Sequence, residues 1–169
     1  MEGTVRLYSF SFRDIKTYLF AFVFVTGNIV LPQVCHLVNA GGPMWLPIYF
    51  FTLIAAYKYG LRVGLLTAVL SPLINSFFFG MPMPIMLPII LVKSTLFAIA
   101  AAYAARFSGK ISIFAIMGAV LAYQTVGTLI EWAIVQDFYK AIQDFRIGMP
   151  GMLLQIFGGY ALLKAIAKI

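Results

Sequence analysis

Charged residues are scarce in this sequence. Lysine, arginine, aspartate and glutamate together make up 10% of the 169 residues, whereas 63% are apolar. A soluble domain of this composition would expose a large apolar surface to water and would not stay in solution. The apolar runs are continuous and do not alternate with polar residues, which excludes a transmembrane β-barrel. The sequence therefore predicts an all-α integral membrane protein.

Recognisable catalytic motifs are also missing. The sequence has no GxxxxGK[ST] phosphate loop, no HExxH, no GxSxG and no Asp-rich cluster for magnesium. The single cysteine, Cys35, excludes an internal disulfide. With His36 it could ligate the cobalt of a corrinoid or a haem iron, but no second histidine or spaced cysteine set completes such a site. We therefore expect no enzymatic activity, no cofactor and no bound metal.

Six apolar segments follow one another, separated by breaks rich in glycine and proline. A helix needs roughly 20 apolar residues to cross the hydrocarbon core of a bilayer. The breaks include Gly41-Gly42-Pro43, Tyr59-Gly60 and Gly148-Met149-Pro150-Gly151, which are strong signals for the end of a helix. We predict a single membrane domain over residues 1–169, with spans at about 17–37, 43–57, 61–79, 85–105, 111–134 and 149–167.

The basic residues are distributed unevenly between the two sides of these spans. One side has only Lys140 and Arg146, in a loop with Asp137 and Asp144, whereas nine of the twelve basic residues fall on the other side. These nine are Arg6, Arg13, Lys16, Lys58, Arg62, Arg106, Lys110, Lys164 and Lys168. The positive-inside rule then places both termini in the cytoplasm. Because the bases are dispersed along membrane edges, the net charge of +7 does not indicate nucleic-acid binding.

Polar side chains inside the predicted spans lie mainly toward the outer side. Lys93 is about 12 Å below the outer end of the fourth span at a rise of about 1.5 Å per residue, and Glu131 lies near the outer end of the fifth span. The uncharged polar residues are Asn28, Gln33, His36, Asn75, Ser76 and the mid-span Gln124. Such groups are costly in hydrocarbon and usually functional, which predicts an outward-facing pocket for a small organic molecule. The alternative is that they form hydrogen bonds between packed helices.

Two roles are open for Lys93. An ammonium group in a partly dehydrated pocket attracts carboxylate or phosphate, so it would bind an anionic group of the substrate. Alternatively, it pairs with Glu131 in a structural ion pair. Glu131 could be that counter-ion, contact a cationic substrate, or be a solvated carboxylate at the membrane edge. The rings of Tyr49 and Trp132 either stack on the substrate or act as packing and interface residues.

A series of short motifs within residues 28–84 resembles a known family. The motifs are Val30-Leu31-Pro32, His36-Leu37, Gly41-Gly42-Pro43-Met44-Trp45-Leu46-Pro47, Tyr59-Gly60, Val63-Gly64, Leu70-Ser71-Pro72-Leu73 and Phe79-Gly80-Met81-Pro82. In this series the chain resembles the substrate-binding S component of energy-coupling factor (ECF) transporters. The resemblance implies a six-helix bundle in a prokaryotic plasma membrane. It would capture a vitamin or related micronutrient in a pocket near the extracytoplasmic face.

The resemblance also implies partners. Members of this family dock on a transmembrane coupling subunit driven by two cytoplasmic ATPases, and they are thought to topple in the membrane to carry the pocket inward. Their first helix often docks through an AxxxA pattern. The matching positions here are Ala21 and Val25, with Gly27 nearby, and these residues are the expected coupling face. Tyr49 stands where many relatives have histidine.

These observations combine into one expectation and one alternative. We expect the substrate-capture subunit of an ECF-type importer, binding a small anionic vitamin or precursor such as biotin, lipoate or pantothenate. The expected substrate-binding residues are Lys93, Asn75, Tyr49, His36, Gln124, Glu131 and Trp132. The alternative is a structural membrane protein of the cell-shape type, which would have a cavity but no transported ligand.

Overall fold

The structure, a computed structural model, describes residues 7–37, 39 and 41–167. Within these ranges the chain is all-helical and has no β-strand, so the predicted all-α class is confirmed. The helices are α1 (Ile15–Cys35), α2 (Gly41–Trp45), α3 (Phe50–Tyr59), α4 (Leu61–Phe79), α5 (Leu87–Ser108), α6 (Ile113–Val135), α7 (Phe138–Ala141), α8 (Gln143–Arg146), α9 (Met149–Leu153) and α10 (Gly159–Ala165). A 3-10 turn (Pro47–Tyr49) precedes α3, and a π-helical turn (Leu154–Gly158) joins α9 to α10.

Four of the described helices are long and apolar enough to cross a membrane, namely α1, α4, α5 and α6. Their bounds agree within three residues with the predicted first, third, fourth and fifth spans. A helix satisfies its own backbone polar groups, so each can lie in hydrocarbon. Large apolar side chains also cover the outer surface, including Phe22, Phe77, Phe107 and Phe114, each at least 74% exposed. The chain is therefore a membrane protein.

The predicted second and sixth spans are interrupted in the structure. Leu46 has a φ of 46°, which separates α2 from the 3-10 turn, and α3 contains only 10 residues. A helix of that length rises about 15 Å, half of the hydrocarbon core. Residues 149–165 are helical throughout but include the π-helical turn. The prediction of six spans stays a prediction.

Glycines end three helices where breaks were predicted. Gly60 lies between α3 and α4 with a φ of 94°, and Gly80 and Gly109 follow α4 and α5 with φ values of 68° and 61°. Glycine adopts these left-handed conformations at little cost because it has no Cβ atom. A Cβ at Gly60 would also lie 3.1 Å from the Cα of Ser9. Local sequence is therefore sufficient to fix these helix ends.

The central element of the bundle is α3. All of its residues from Thr52 to Tyr59 are buried, and the helix packs against α1, α4 and α5. Gly64 allows α4 to approach α3 closely, because a Cβ there would lie 2.7 Å from the Cα of Ala56. The core is thus built around a short helix whose neighbours cover it on all sides.

Hydrogen bonds gather four parts of the chain at one end of the bundle, here called the basic end. The N–H of Tyr8 donates to the carbonyl of Lys58 at 2.8 Å, and the hydroxyl of Tyr57 donates to the carbonyl of Lys110 at 2.8 Å. The ammonium of Lys58 donates to the carbonyl of Ile166. The predicted basic loops therefore meet here. Arg6 and Lys168, two of the nine basic residues, lie outside the described residues.

The opposite end, here called the loop end, contains α2 and the connection between α6 and α9. Two glycines allow this connection and the first turn of α9 to pack onto α2. A Cβ at Gly148 would lie 3.1 Å from the carbonyl oxygen of Pro43, and one at Gly151 would lie 2.5 Å from the backbone of Trp45. The backbone of this part of the chain therefore packs directly on α2.

Candidate functional site

Three charged side chains meet beneath the loop end, and we call them the Lys93 cluster. The Nζ atom of Lys93 on α5 lies 2.5 Å from Oε2 of Glu131 on α6 and 2.8 Å from Oδ2 of Asp144 on α8. The side chains are 3%, 9% and 16% exposed, respectively. Charge-assisted hydrogen bonds offset part of the cost of removing these groups from water. One ammonium group faces two carboxylates, so the cluster has a surplus of acidic groups.

A glycine on α6 makes room for the lysine. Gly127 lies one helical turn before Glu131, and a Cβ at this position would be 2.7 Å from the Cγ of Lys93. The aliphatic stem of Lys93 therefore lies directly on the backbone of α6. Because residues four apart share a helix face, this placement brings the ammonium group to the carboxylate of Glu131.

Aromatic side chains form a layer deeper in the bundle than the Lys93 cluster, since Phe97 lies one turn beyond Lys93 on α5 and Tyr123 lies about two turns before Glu131 on α6. The ring of Tyr123 stacks on Phe97 with centroids 4.1 Å apart, and it lies 5.5 Å from the ring of Tyr49. All three rings are buried. The hydroxyl of Tyr123 donates to Oε1 of Gln155 at 3.0 Å. This hydrogen bond ties α6 to the π-helical turn.

Several buried polar atoms near this layer have no hydrogen-bond partner in the part of the chain that the structure describes. The atoms are Ser94 Oγ, Gln124 Oε1, Gln124 Nε2, Thr128 Oγ1 and Gln155 Nε2. The glutamines are both 0% exposed. A buried polar group without a partner costs roughly 1–3 kcal/mol, so an arrangement of this kind calls for an explanation.

Sequence reasoning missed two residues of this region, Gln155 and Asp144. The first was detectable, because Gln155 is a lone amide inside an apolar segment, the same signal that singled out Gln124. It lies on the π-helical turn, a distortion that is frequent at functional sites. Asp144 gave no signal, since it lies in a loop 51 positions from Lys93.

A second buried polar group joins α1, α3 and α4. Asn28 Nδ2 donates to the hydroxyls of Thr52 at 3.1 Å and Ser71 at 3.2 Å, and Asn28 Oδ1 accepts from the N–H of Phe51 at 3.0 Å. Asn75 Nδ2 donates to the carbonyl of Asn28 at 2.9 Å. These hydrogen bonds hold three helices together, as polar groups do in membrane helix packing.

The predicted substrate-binding residues therefore divide into separate places. The Lys93 cluster includes Lys93 and Glu131, and Tyr49 belongs to the aromatic layer. Gln124 is one of the buried residues with unpaired polar atoms. Asn75 instead belongs to the hydrogen-bonded group around Asn28. The other two predicted residues are at the surface of the loop end.

His36 is exposed, and its ring lies close to Gly42, where a Cβ would be 2.5 Å from Cε1. Trp132 is 46% exposed and meets the ring of Phe138 edge to face, with centroids 5.3 Å apart. Neither side chain reaches the Lys93 cluster through a hydrogen bond among the described residues. No group of three or more His, Cys, Asp or Glu side chains in the described ranges could hold a metal ion.

The predicted coupling face lies within the bundle. Ala21 and Val25 are 3% and 5% exposed, and a Cβ at Gly27 would be 2.8 Å from the ring of Phe51 on α3. The exposed side of α1 instead has large apolar residues, such as Phe22 and Val23. That these positions dock a coupling subunit stays a prediction.

Two cavities open at the basic end. One of about 400 Å³ is lined by Tyr57, Gly60 and Arg106 among others, and one of about 320 Å³ is lined by Lys16, Phe20 and Tyr59 among others. Neither is lined by a residue of the Lys93 cluster.

The acidic residues of the loop end serve different purposes. Asp137 caps α7, accepting hydrogen bonds from the N–H groups of Tyr139 at 3.0 Å and Lys140 at 3.2 Å. The hydrogen bond from the N–H of Lys140 stabilises the carboxylate and holds the pKa of Asp137 below its usual value. Asp144 instead points inward to Lys93. Asp137 therefore stabilises the start of α7, whereas Asp144 links the connection to α5 through Lys93.

Comparisons of the chain with known protein families, with curated proteins and with solved structures found no match.

Proposed function

We propose that this chain is the membrane-embedded substrate-capture subunit, or S component, of an ECF-type importer and that it binds a vitamin or related micronutrient. The observation that carries this proposal is the buried Lys93 cluster with unpaired polar atoms next to it. Polar groups are expensive inside a membrane protein, and binding is a reason to keep them there. The motif series in residues 28–84 supports the choice of family.

The ligand's anionic group takes the place of Asp144 on Lys93 in this proposal. Asp144 belongs to a four-residue helix in a connection, and its side chain is already 16% exposed, so it can turn toward water. Glu131 is held by the long helix α6 and stays with Lys93. The exchange replaces one carboxylate by another, so the charge around the buried ammonium group does not change.

The proposal includes a topology and partners. Residues 43–57 and 149–167 are the second and sixth crossings, and the basic end faces the cytoplasm. The loop end then faces outward from a prokaryotic plasma membrane, where the ligand arrives. A coupling subunit and two ATPases act from the cytoplasmic side and provide the energy that this chain has no motif to generate.

Native mass spectrometry of the purified protein tests the proposal. We expect a small molecule bound at one-to-one stoichiometry to the wild type and to Lys140→Met. The Lys140 side chain is 71% exposed and pairs with Asp137, so it is not part of the Lys93 cluster. Lys93→Met should lose the molecule. Asp144→Asn should retain it, because the competing carboxylate is removed while the pair between Lys93 and Glu131 remains.

Size-exclusion chromatography of each variant identifies loss of folding, and Asp144→Asn keeps the test valid if Lys93→Met does not fold. A bound molecule that persists in Lys93→Met would contradict the assigned role of Lys93. A folded wild type with no bound molecule and no coupling partner would favour the structural membrane protein.

A further inference from the structure

The larger cavity at the basic end lies between α5 and the N-terminal segment of residues 7–9. Its volume of about 400 Å³ falls within the range of small-molecule sites, roughly 300–1,000 Å³. Ala56 on α3 and Ala102 and Ala105 on α5 are among its lining residues. These short apolar side chains form a wall, here called the alanine wall, against which a hydrocarbon chain can be buried.

The N-terminal side of the cavity is held in place by the turn between α3 and α4. The N–H of Tyr8 donates to the carbonyl of Lys58 at 2.8 Å. The next residue, Ser9, packs on Gly60, where a Cβ would lie 3.1 Å from the Cα of Ser9. Because two successive residues are fixed in this way, the space between the segment and α5 is part of the fold.

The rim of the cavity has a cation that is available to a ligand. Arg106 lies in the last turn of α5, is exposed, and has neither a hydrogen bond nor an ion pair to any residue within the described ranges. Tyr103, one turn earlier on the same helix, also lines the cavity and is 53% exposed. The carboxylate of Asp14, which precedes α1, accepts instead from the N–H of Ser11 at 2.8 Å. The site therefore combines a free guanidinium group with an apolar wall.

We propose that this cavity binds an anionic phospholipid, with the phosphate on Arg106 and part of an acyl chain on the alanine wall. A guanidinium group matches the geometry of phosphate oxygens and forms charge-assisted hydrogen bonds with them. Basic pockets between transmembrane helices recognise acidic headgroups, and tyrosines such as Tyr103 are typical of the headgroup level.

A lipid suits the cavity better than a phosphate ion from solution. The ion would use the guanidinium group but would gain nothing from the alanine wall, whereas a lipid uses both. The cavity lies at the opposite end of the bundle from the Lys93 cluster, and none of its lining residues belongs to that cluster. The inference is therefore independent of vitamin binding.

Phosphatidylglycerol and phosphatidylcholine with the same oleoyl chains form a matched pair of probes. Both have a phosphate group, but only phosphatidylglycerol has a net negative charge. Native mass spectrometry of the purified protein, titrated with each lipid, measures how tightly the first lipid molecule is bound. We expect the wild type to bind phosphatidylglycerol about 5- to 30-fold more tightly than phosphatidylcholine, as for one or two charge-assisted contacts at a membrane edge.

Two charge variants locate this preference. Arg106→Gln should abolish it, whereas Lys164→Gln should keep it. The exposed Lys164 has its ammonium group 5.6 Å from the ring centroid of Tyr160 and lines neither cavity. Both variants remove one positive charge from the basic end, so a general attraction of lipid to this surface would weaken equally in the two.

A third variant, Ala102→Leu, fills part of the cavity without changing the charge. It should weaken the binding of phosphatidylglycerol, because the acyl chain loses its place on the alanine wall. Size-exclusion chromatography confirms that each variant is folded. The outcome for Ala102→Leu keeps the test decisive if Arg106→Gln does not fold.

Equal binding of the two lipids to the wild type would overturn the inference, as would equal losses in Arg106→Gln and Lys164→Gln. Tight binding of phosphatidylglycerol that survives in a folded Arg106→Gln or Ala102→Leu would do the same. Displacement of the lipid by excess inorganic phosphate would show that the site takes a free phosphate. The proposed function is judged separately, because Lys93→Met should still bind phosphatidylglycerol even where it loses the vitamin.

Discussion

Gly127 determines where the buried lysine can lie. The absence of a Cβ lets the stem of Lys93 rest on α6, and the ammonium group then reaches Glu131 one turn further along the helix. The same helix has a second glycine, Gly118, with no atom within 4 Å of the position its Cβ would take. The two glycines therefore offer a matched comparison of a tight and an open site.

We predict that Gly127→Ala lowers the free energy of unfolding by about 1–3 kcal/mol, because the added methyl group displaces Lys93 from its partners. Gly118→Ala should be neutral or slightly stabilising, since alanine favours helix more than glycine does. Thermal or denaturant unfolding in one detergent measures both variants. Equal stability of the two would show that Lys93 adjusts without cost.

Helices were easier to predict from the sequence than their interruptions. The predicted span at 61–79 coincides with α4, because Gly60 and Gly80 limit an apolar run on both sides. The break at Leu46 was missed. Its positive φ accompanies the close packing of Gly151 on Trp45, about a hundred positions away in the chain, and no local pattern contains that information.

Some residues of the candidate site could be predicted from the sequence, and others could not. Lys93, Glu131 and Gln124 stand out because polar residues are rare in apolar spans. Asp144 lies among other polar residues of a connection, so its inward direction depends on how α8 packs. Asn75 had the same signal as Gln124 but pairs with Asn28, which only the arrangement of helices could reveal.

Asp144 fastens the connection of the loop end to α5, and we predict that Asp144→Asn loosens it. Loss of the buried ion pair at 2.8 Å should speed hydrogen exchange of the backbone amides in residues 138–148 by about 5- to 30-fold, which corresponds to about 1–2 kcal/mol. Mass spectrometry of deuterated peptides from the protein in nanodiscs measures the change.

Asp137→Asn is the control for this experiment, because it removes an acidic charge from the same connection. Asparagine caps a helix as well as aspartate does, and the ion pair of Asp137 with Lys140 at 3.5 Å is exposed and therefore weak. Exchange in this variant should stay close to that of the wild type. If both variants accelerate exchange equally, the contact with Lys93 does not hold the connection closed.

The buried polar side chains fall into two groups, which differ in whether their polar atoms have hydrogen-bond partners. Where α1, α3 and α4 meet, the amide of Asn28 and its neighbours are hydrogen-bonded. Where α6 meets the π-helical turn, Gln124 and Gln155 have unpaired atoms. The first set is suited to be a rigid frame. A ligand would therefore enter on the second set, beneath the connection that Asp144 holds.

If the ligand enters from outside beneath this connection, the loop end must face outward. Labelling of engineered cysteines tests this orientation. Cys35 is first replaced by serine, because this half-buried native cysteine lies at the loop end itself. Lys140→Cys then marks the loop end, and Lys110→Cys marks the basic end. Both lysines are exposed, so each new thiol is open to reagent.

We expect a membrane-impermeant maleimide to label Lys140→Cys in intact prokaryotic cells and to label Lys110→Cys only after the membrane is permeabilised. The physical reason is the positive-inside rule, since the basic end collects the cationic loops and the loop end does not. The reverse pattern would put the Lys93 cluster on the cytoplasmic side. A subunit that captures its ligand from outside could not work in that orientation, because the ligand would have to cross the membrane before reaching the site.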